Sequence, residues 1–322
     1  ETINFVTQEL MSENHGFYSS LDADSLDAKG NLEEGAYYVW TIAELENLLG
    51  DRFPIFKDYY NINDYGHWEH GNYVLIKDIP DLEIAARHRL TLLELNTIIE
   101  DCKNILKEER NKRNRPRLDD KILTSWNGLM LKGLVDAHRY LQNDGYLDLA
   151  IKNAEFIFTH LTIKNGGLFH NHKDGTSSIN GFLEDYATVI DALFALYEVT
   201  FEEHWLNKAK ELIDFCINDF YDEESGLFFF TSKKDGFIIR RTLEVSDNVI
   251  PASNSIMAHC LFKFGKLFPE EGYNGIAQQM VLNVQENFTK NAQGYANWLH
   301  LVLYYQQNFY EIAIVGDDSL SK

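Results

Sequence analysis

The feature that most constrains this chain is a connector that occurs twice. Gly167-Leu168-Phe169-His170 runs into Lys173-Asp174-Gly175, and about 60 residues later Gly226-Leu227-Phe228-Phe229 runs into Lys234-Asp235-Gly236. Asp-Gly between short apolar runs marks a β-hairpin, because its turn needs positive φ. A Gly-aromatic start recurs at Gly16-Phe17-Tyr18 and at Gly294-Tyr295. Between these connectors, apolar residues recur at helical spacing. One face is Trp126, Leu129, Met130, Leu134 and Ala137; the next runs from Leu147 through Ala154 to Leu161. Further faces follow at Ala187–Tyr197, Ala209–Phe220, Ile256–Phe264 and Ile276–Phe288, and a last segment runs from Ala296 to Gln306. The helices come in consecutive pairs, each separated from the next by a hairpin. One pair cannot bury both faces, so successive pairs stack around a common core, and the long period suits closure into a ring. The expected fold class is all-α, an (α/α) toroid of helical hairpins with short β-hairpins in its connecting loops.

The first third is less regular. Ile3–Met11 reads as the end of a helix, and Glu34–Thr41 as a short strand leading into a helix over Ile42–Leu49. Asp51–Gly71 reads as irregular and Leu82–Lys107 as one long helix. The basic run Glu108–Arg117 reads as a solvated connector in preference to an anion site, and Asp22-Ala23-Asp24-Ser25 as a turn bonded to its own backbone in preference to a calcium loop. No linker divides the chain, so a single domain over 1–322 is expected.

Composition narrows the partners. Fifty acidic residues against 29 basic ones give a formal net charge of −21, a field that repels phosphate backbones and anionic lipid. Nucleic acid and membrane are therefore excluded as partners. Cys102, Cys216 and Cys260 lie far apart without CxxC spacing and read as buried thiols, which places the chain in a reducing, cytoplasmic setting. No run approaches the roughly 20 apolar residues of a membrane helix. HExxH, GxSxG, P-loop and GxGxxG patterns are absent, so no metal or cofactor is expected.

In an (α/α) ring the inner helices all point one way, and their N-termini gather at one mouth. Asp119-Asp120, Glu184-Asp185 and Asp247-Asn248 each stand just before an alternate helix. Asp at these places caps free N–H groups. As a group, carboxylates converging across a cavity are also what glycoside hydrolysis requires, one protonating the leaving oxygen and another activating water or attacking. Asp120, Asp185 and Asp247 are thus the candidate catalytic residues. The candidate substrate-binding residues are Trp126, Asn127, Tyr186 and Asn254, from the same helix starts, with His170 and His172 from one hairpin strand.

Five motifs carry a family resemblance: GFYSSLDADS (Gly16–Ser25), EEGAYYVWT (Glu33–Thr41), RPRLDDKILTSWNGLM (Arg115–Met130), LEDYA (Leu183–Ala187) and Pro251-Ala252-Ser253-Asn254. In this order they resemble the uncharacterised thioredoxin-domain-containing family, which includes the spermatogenesis-associated proteins and bacterial relatives labelled "cellulosomal". The resemblance implies a toroid of the six-hairpin glycosidase type, related also to N-acylglucosamine 2-epimerase. It further implies a thioredoxin-like domain ahead of this chain, consistent with the start at Glu1. Tyr310–Gly316 resembles the strand that opens the family's final segment, which implies a fragment lacking both ends. Two functions follow. One is a carbohydrate-active enzyme, hydrolase or epimerase, acting on a saccharide through the three aspartates. The other is a non-catalytic toroid that binds a sugar, a peptide or its own thioredoxin-like domain.

Overall fold

The computed structural model describes residues 1–27, 29–236, 240–308 and 310. The expected strand over Tyr310–Gly316 lies, beyond its first residue, outside them. The chain falls into two compact units, 20–119 and a larger one made of 1–19 with 120–322.

The larger unit opens with α1 (Thr2–Glu9), and the smaller unit is then inserted in the chain. Its elements are β1 (Ser20–Leu21), β2 (Asp24–Leu26), β3 (Leu32–Glu34), β4 (Trp40–Thr41), α2 (Ile42–Leu49), α3 (Phe53–Tyr59), β5 (Asn72–Tyr73), α4 (Asp81–His88), α5 (Leu92–Arg110) and β6 (Leu118–Asp119). The strands pair antiparallel as β1–β6, β2–β3 and β4–β5. Two expectations need correction here. The segment from Asp51 contains α3, started by Pro54 in its first turn, where proline's fixed φ and missing N–H cost nothing. The long helix is also two helices. Arg89 turns left-handed after α4 (φ 56°), and Thr91 opens α5 with a reciprocal cap to Glu94. Leu45, Phe56, Ile62, Ile84, Leu95 and Cys102 form this unit's core. The basic run staples the unit internally. Arg113 lies 3.9 Å over the Trp40 ring and donates to the carbonyls of Ala36, Tyr37 and Val39 and to Glu44.

The larger unit resumes with β7 (Ile122–Leu123), α6 (Thr124–Leu141), α7 (Asp144–His160), β8 (Phe169–Lys173), β9 (Thr176–Asn180), α8 (Leu183–Thr200) and α9 (Glu203–Asp219). It continues with β10 (Tyr221–Asp222), β11 (Leu227–Phe228), α10 (Ser253–Leu267), α11 (Tyr273–Val284) and α12 (Ala296–Gln306). Helices α6, α8, α10 and α12 pack side by side as an inner layer, and α7, α9 and α11 each back onto one of them. This is the (α/α) toroid arrangement of helical hairpins. Leu134, Leu193, Ile213, Phe220, Met257 and Phe264 fill the space between the layers. At Gly128 two inner helices touch closely: a Cβ there would stand 2.7 Å from Thr188 Oγ1 and 2.8 Å from Val189 N.

The first repeated connector forms the expected hairpin. Asp174 (φ 50°) and Gly175 (φ 73°) make its two-residue turn, with Lys173 paired to Thr176. The second differs. Its strands β10 and β11 lie before the Asp-Gly pair, and Asp235 instead accepts the Ser232 N–H within a local turn. Residues 237–239, on the far side of that turn, lie outside the described residues.

The repeat has a structural cause that the sequence did not disclose. Three of the four Gly-apolar segments are gripped by the first turn of an inner helix. Asn127 on α6 accepts the Phe17 N–H (2.8 Å) and donates to the Phe17 carbonyl (3.0 Å). Asn254 on α10 does the same to Phe228, at 2.9 and 2.8 Å. On α8 the Tyr186 hydroxyl accepts the Leu168 N–H at 2.8 Å. All three side chains are buried, so their polar atoms need these partners.

Candidate active site

The site begins with a carboxylate that the fold has enclosed. Asp185 stands in the first turn of α8, where free N–H groups favour an acid, and it is fully buried. Oδ2 accepts the Phe182 N–H at 2.8 Å, which caps its own helix, and Oδ1 accepts the Ser125 N–H of α6 at 2.8 Å. The third donor is His170, whose Nδ1–H reaches Oδ2 at 2.9 Å. The β8–β9 hairpin delivers that ring, and β8 is fixed in turn by its pairing to β7 and by Thr124 Oγ1, which donates to the Phe169 carbonyl at 2.6 Å. His170 also packs on Phe182, with ring centroids 4.7 Å apart.

The electrostatics follow from this geometry. The bond to Asp185 raises the His170 pKa above the ordinary imidazole value, more than burial lowers it. With Nδ1–H committed to a carboxylate, the ring's Nε2 is left to accept or release a proton, and no described residue bonds to it. Glu184, the next residue along α8, is half-buried. Burial pushes its carboxyl up to about 7, reinforced by the neighbouring charges of Asp185 and Glu244 and opposed by His170. His170, Glu184 and Asp185 each offer a ligand atom within 4.8 Å of the others.

A cleft lies further along the same helix as Glu184. Residues four and seven positions on, Thr188 and Asp191, share its helix face, and both line a cavity of about 340 Å³ bounded by α6, α8, α10 and α12. From α10 come Ile256, His259 and Lys263; from α12 come Asn297, His300 and Tyr304. His259 is buried, donates Nε2–H to the Asn297 carbonyl at 2.9 Å, and has its pKa lowered by desolvation. Lys263 pairs with Asp191 at 2.6 Å across two helices. From sequence, His259 reads as a satisfied helix residue, as its bond to Asn297 bears out, while Thr188, Asp191, Lys263, Asn297, His300 and Tyr304 are not singled out. Their signal was present as polar residues at intervals of three and four on otherwise apolar helices, a stripe that an all-round buried helix has no packing reason to carry.

The other candidates take varied positions. Asp247 lies in the loop before α10 and joins two inner helices. Its Oδ1 accepts from Ala252 N–H and Ser255 Oγ, and its Oδ2 from Asn297 N–H of α12. Asp120 is part-exposed and pairs with Lys173 at 2.6 Å. His172, two residues from His170, bonds Ser177 Oγ at 2.9 Å and faces His160 with centroids 5.2 Å apart. Trp126 is 47% exposed, available as a flat apolar surface. Asn127, Tyr186 and Asn254 are the buried grips described above. The structure thus brings Asp185 and His170 into direct contact, and gives Asp120 and Asp247 different partners.

No helix among the described residues is long and apolar enough to cross a membrane, and the three cysteines are buried and free. No family model matches the sequence. Among solved structures, the chain is similar to a cellobiose 2-epimerase from Bacillus thermoamylovorans, with 12% identity, 88% of this chain and 69% of that chain covered, and a TM-score of 0.45. It is likewise similar to a GH76 α-mannanase from Bacteroides thetaiotaomicron, with 19% identity, 51% and 44% covered, and a TM-score of 0.43. Among curated sequences, an uncharacterized Caenorhabditis elegans protein is 33% identical over 87% of this chain and 41% of its own length. Human spermatogenesis-associated protein 20 is 28% identical over 98% of this chain and 44% of its own length. The chain therefore spans less than half the length of these relatives, and across nearly all of its own length it is similar to spermatogenesis-associated protein 20.

Proposed function

We propose that this unit is a carbohydrate-active acid–base enzyme whose site opens at the start of α8. The observation that carries the reading is the buried Asp185–His170 pair beside Glu184, whose proton is held to about 7. A carboxyl on a rigid helix start and an imidazole on the strand beside it, each holding its proton more tightly than usual, are what acid–base chemistry needs. Asp185 is the positioning residue, fixing His170 with Nδ1–H inward. His170 Nε2 and Glu184 carry the protons, and the cleft further along α8, lined by Thr188 and Asp191, holds the sugar. Trp126 offers a stacking surface, and Asp120 and Asp247 keep the loops around the mouth in place.

A saccharide screen by thermal shift tests the first step. A ligand at about 100 times its Kd should stabilise the protein by about 2.7 kcal/mol. Turnover of that ligand should then fall by about 100-fold or more in Glu184→Gln and in His170→Gln, with binding retained. Failure of every saccharide to shift the melting temperature would sink the reading. A second reading, a non-catalytic sugar-binding toroid, is favoured by one observation: Asp185, Asp247, Asn127 and Asn254 all have structural hydrogen-bond partners. Binding without turnover, unchanged in both variants, would select it.

A further inference from the structure

The lysine and aspartate side chains that line the cleft are each paired. Lys263, from α10, is paired with Asp191 at 2.6 Å, and the two side chains are only 31% and 16% exposed. Lys132, on the α6 wall, pairs with Asp136 one turn along at 2.8 Å. Neither ammonium is idle, and neither carboxylate is. His259 adds no charge, because its Nε2–H is committed to the Asn297 carbonyl and its burial disfavours the imidazolium. Its Nδ1 is left as an acceptor. The remaining lining mixes hydroxyl, amide and apolar surface. Thr188 and Asn297 stand beside Ile256, and the Tyr304 ring is stacked on Phe262 with planes 14° apart. A pyranose presents this same mixture, with C–H faces suited to an aromatic ring and a rim of hydroxyls suited to neutral donors and acceptors.

We propose that the cleft between α6, α8, α10 and α12 takes a neutral sugar of one or two rings and rejects the uronic-acid and amino-sugar counterparts of that sugar. The proposal rests on the carbohydrate reading above and specifies its ligand. A uronate would need a free cation. Recruiting Lys263 would strand the Asp191 carboxylate in a desolvated place, a loss that outweighs the new contact. An amino sugar would need a free carboxylate at the same depth, and Asp191 and Asp136 are both engaged. The size follows from volume: about 340 Å³ stands near the lower end of the roughly 300–1,000 Å³ of ligand pockets, too small for a longer chain of rings.

The test is calorimetric binding to matched sets that differ by one group: glucose, glucuronate and glucosamine, with the mannose and galactose series alongside. In at least one series the neutral sugar should bind about tenfold or more tighter than both charged members. A charged member that equals or exceeds its neutral parent overturns the proposal while leaving a sugar site standing. If none of the sugars binds, the carbohydrate reading falls and this inference with it. Asp191→Asn releases the Lys263 ammonium, so glucuronate should gain on glucose by about tenfold in that variant, and an unchanged ranking would count against the matched-charge argument. Should that variant not fold, wild-type protein supplies a second measure. Binding of the neutral sugar should change less than about twofold between about 50 and 500 mM salt, whereas a steep fall would reveal a charged contact and overturn the proposal.

Discussion

Asp185→Asn is the substitution that best separates a structural cap from the site described here. At an ordinary helix N-terminus Asn replaces Asp at little cost, since one side-chain oxygen caps one N–H. Asp185 differs because both oxygens are acceptors, for Ser125 N–H, Phe182 N–H and His170 Nδ1–H. An amide offers one acceptor oxygen, which in the Oδ2 position still serves Phe182 N–H and His170 Nδ1–H, and it turns an NH2 group toward Ser125 N–H. One bond is lost outright and the other two lose their charged acceptor. A hydrogen bond to a charged acceptor contributes about 1.5–3 kcal/mol, and a buried donor left without a partner costs about 1–3 kcal/mol. Losing that bond, with its donor left buried and the other two weakened, therefore destabilises by about 2–4 kcal/mol. Urea denaturation followed by circular dichroism measures this as a lower midpoint at unchanged slope. A double-mutant cycle with His170→Gln should return a coupling of about 1.5–3 kcal/mol, because the two side chains share one bond. If Asp185→Asn falls within about 0.5 kcal/mol of wild type, the carboxylate is an ordinary cap and the positioning role assigned to it is wrong.

Two further outcomes are expected. Glu184 ionises at about 7 in the folded chain and at 4.5 in the ordinary case, so the folded state keeps its proton longer. Its stabilising contribution is complete below the lower value and is lost as pH rises through the upper one. Glu184→Gln should melt like wild type at about pH 4 and at a higher temperature than wild type at about pH 8. Equal differences at both pH values would refute the assignment. His170, raised by Asp185, slopes the same way, so the variant reduces the pH dependence without abolishing it. On α6, Gly128→Ala forces a methyl group against the α8 backbone and should cost about 1–3 kcal/mol. Gly133→Ala, on the same helix with nothing within 4 Å of the added atom, should stabilise by about 0.5–1 kcal/mol. Thermal melts of the pair check this, and matching signs would defeat the close-approach argument.

Helix pairs and the first hairpin were legible because they are local. Periodic apolar faces and an Asp-Gly turn need no knowledge of distant partners, and the last helix was placed at Ala296–Gln306, where it lies. The break between α4 and α5 was also written locally, in Thr91-Leu92-Leu93-Glu94, but continuous apolar spacing masked it. The site was legible only in its parts. Asp185 and His170 could each be singled out, yet their bond depends on how β8 is held across the starts of α6 and α8, which no spacing rule reveals. Asn127 and Asn254 looked like sugar-binding amides because exposure cannot be read from identity. In the folded chain both are buried grips on the Gly-apolar segments.

Those grips differ in one respect that bears on how the chain comes together. The Leu168–Tyr186 contact closes 18 residues and the Phe228–Asn254 contact 26, but Phe17–Asn127 closes 110. By loop-closure entropy the long one is disfavoured by about 1.5 kcal/mol relative to the shorter two. The insert removes that handicap once it is folded, because Ser20 pairs with Asp119 and its two ends lie side by side. A nascent chain therefore gains by completing residues 20–119 before its first helical hairpin closes. The same adjacency makes the insert a replaceable cassette: a tight turn joining position 19 to position 120 leaves the Asn127 grip in place and shortens the loop it must close.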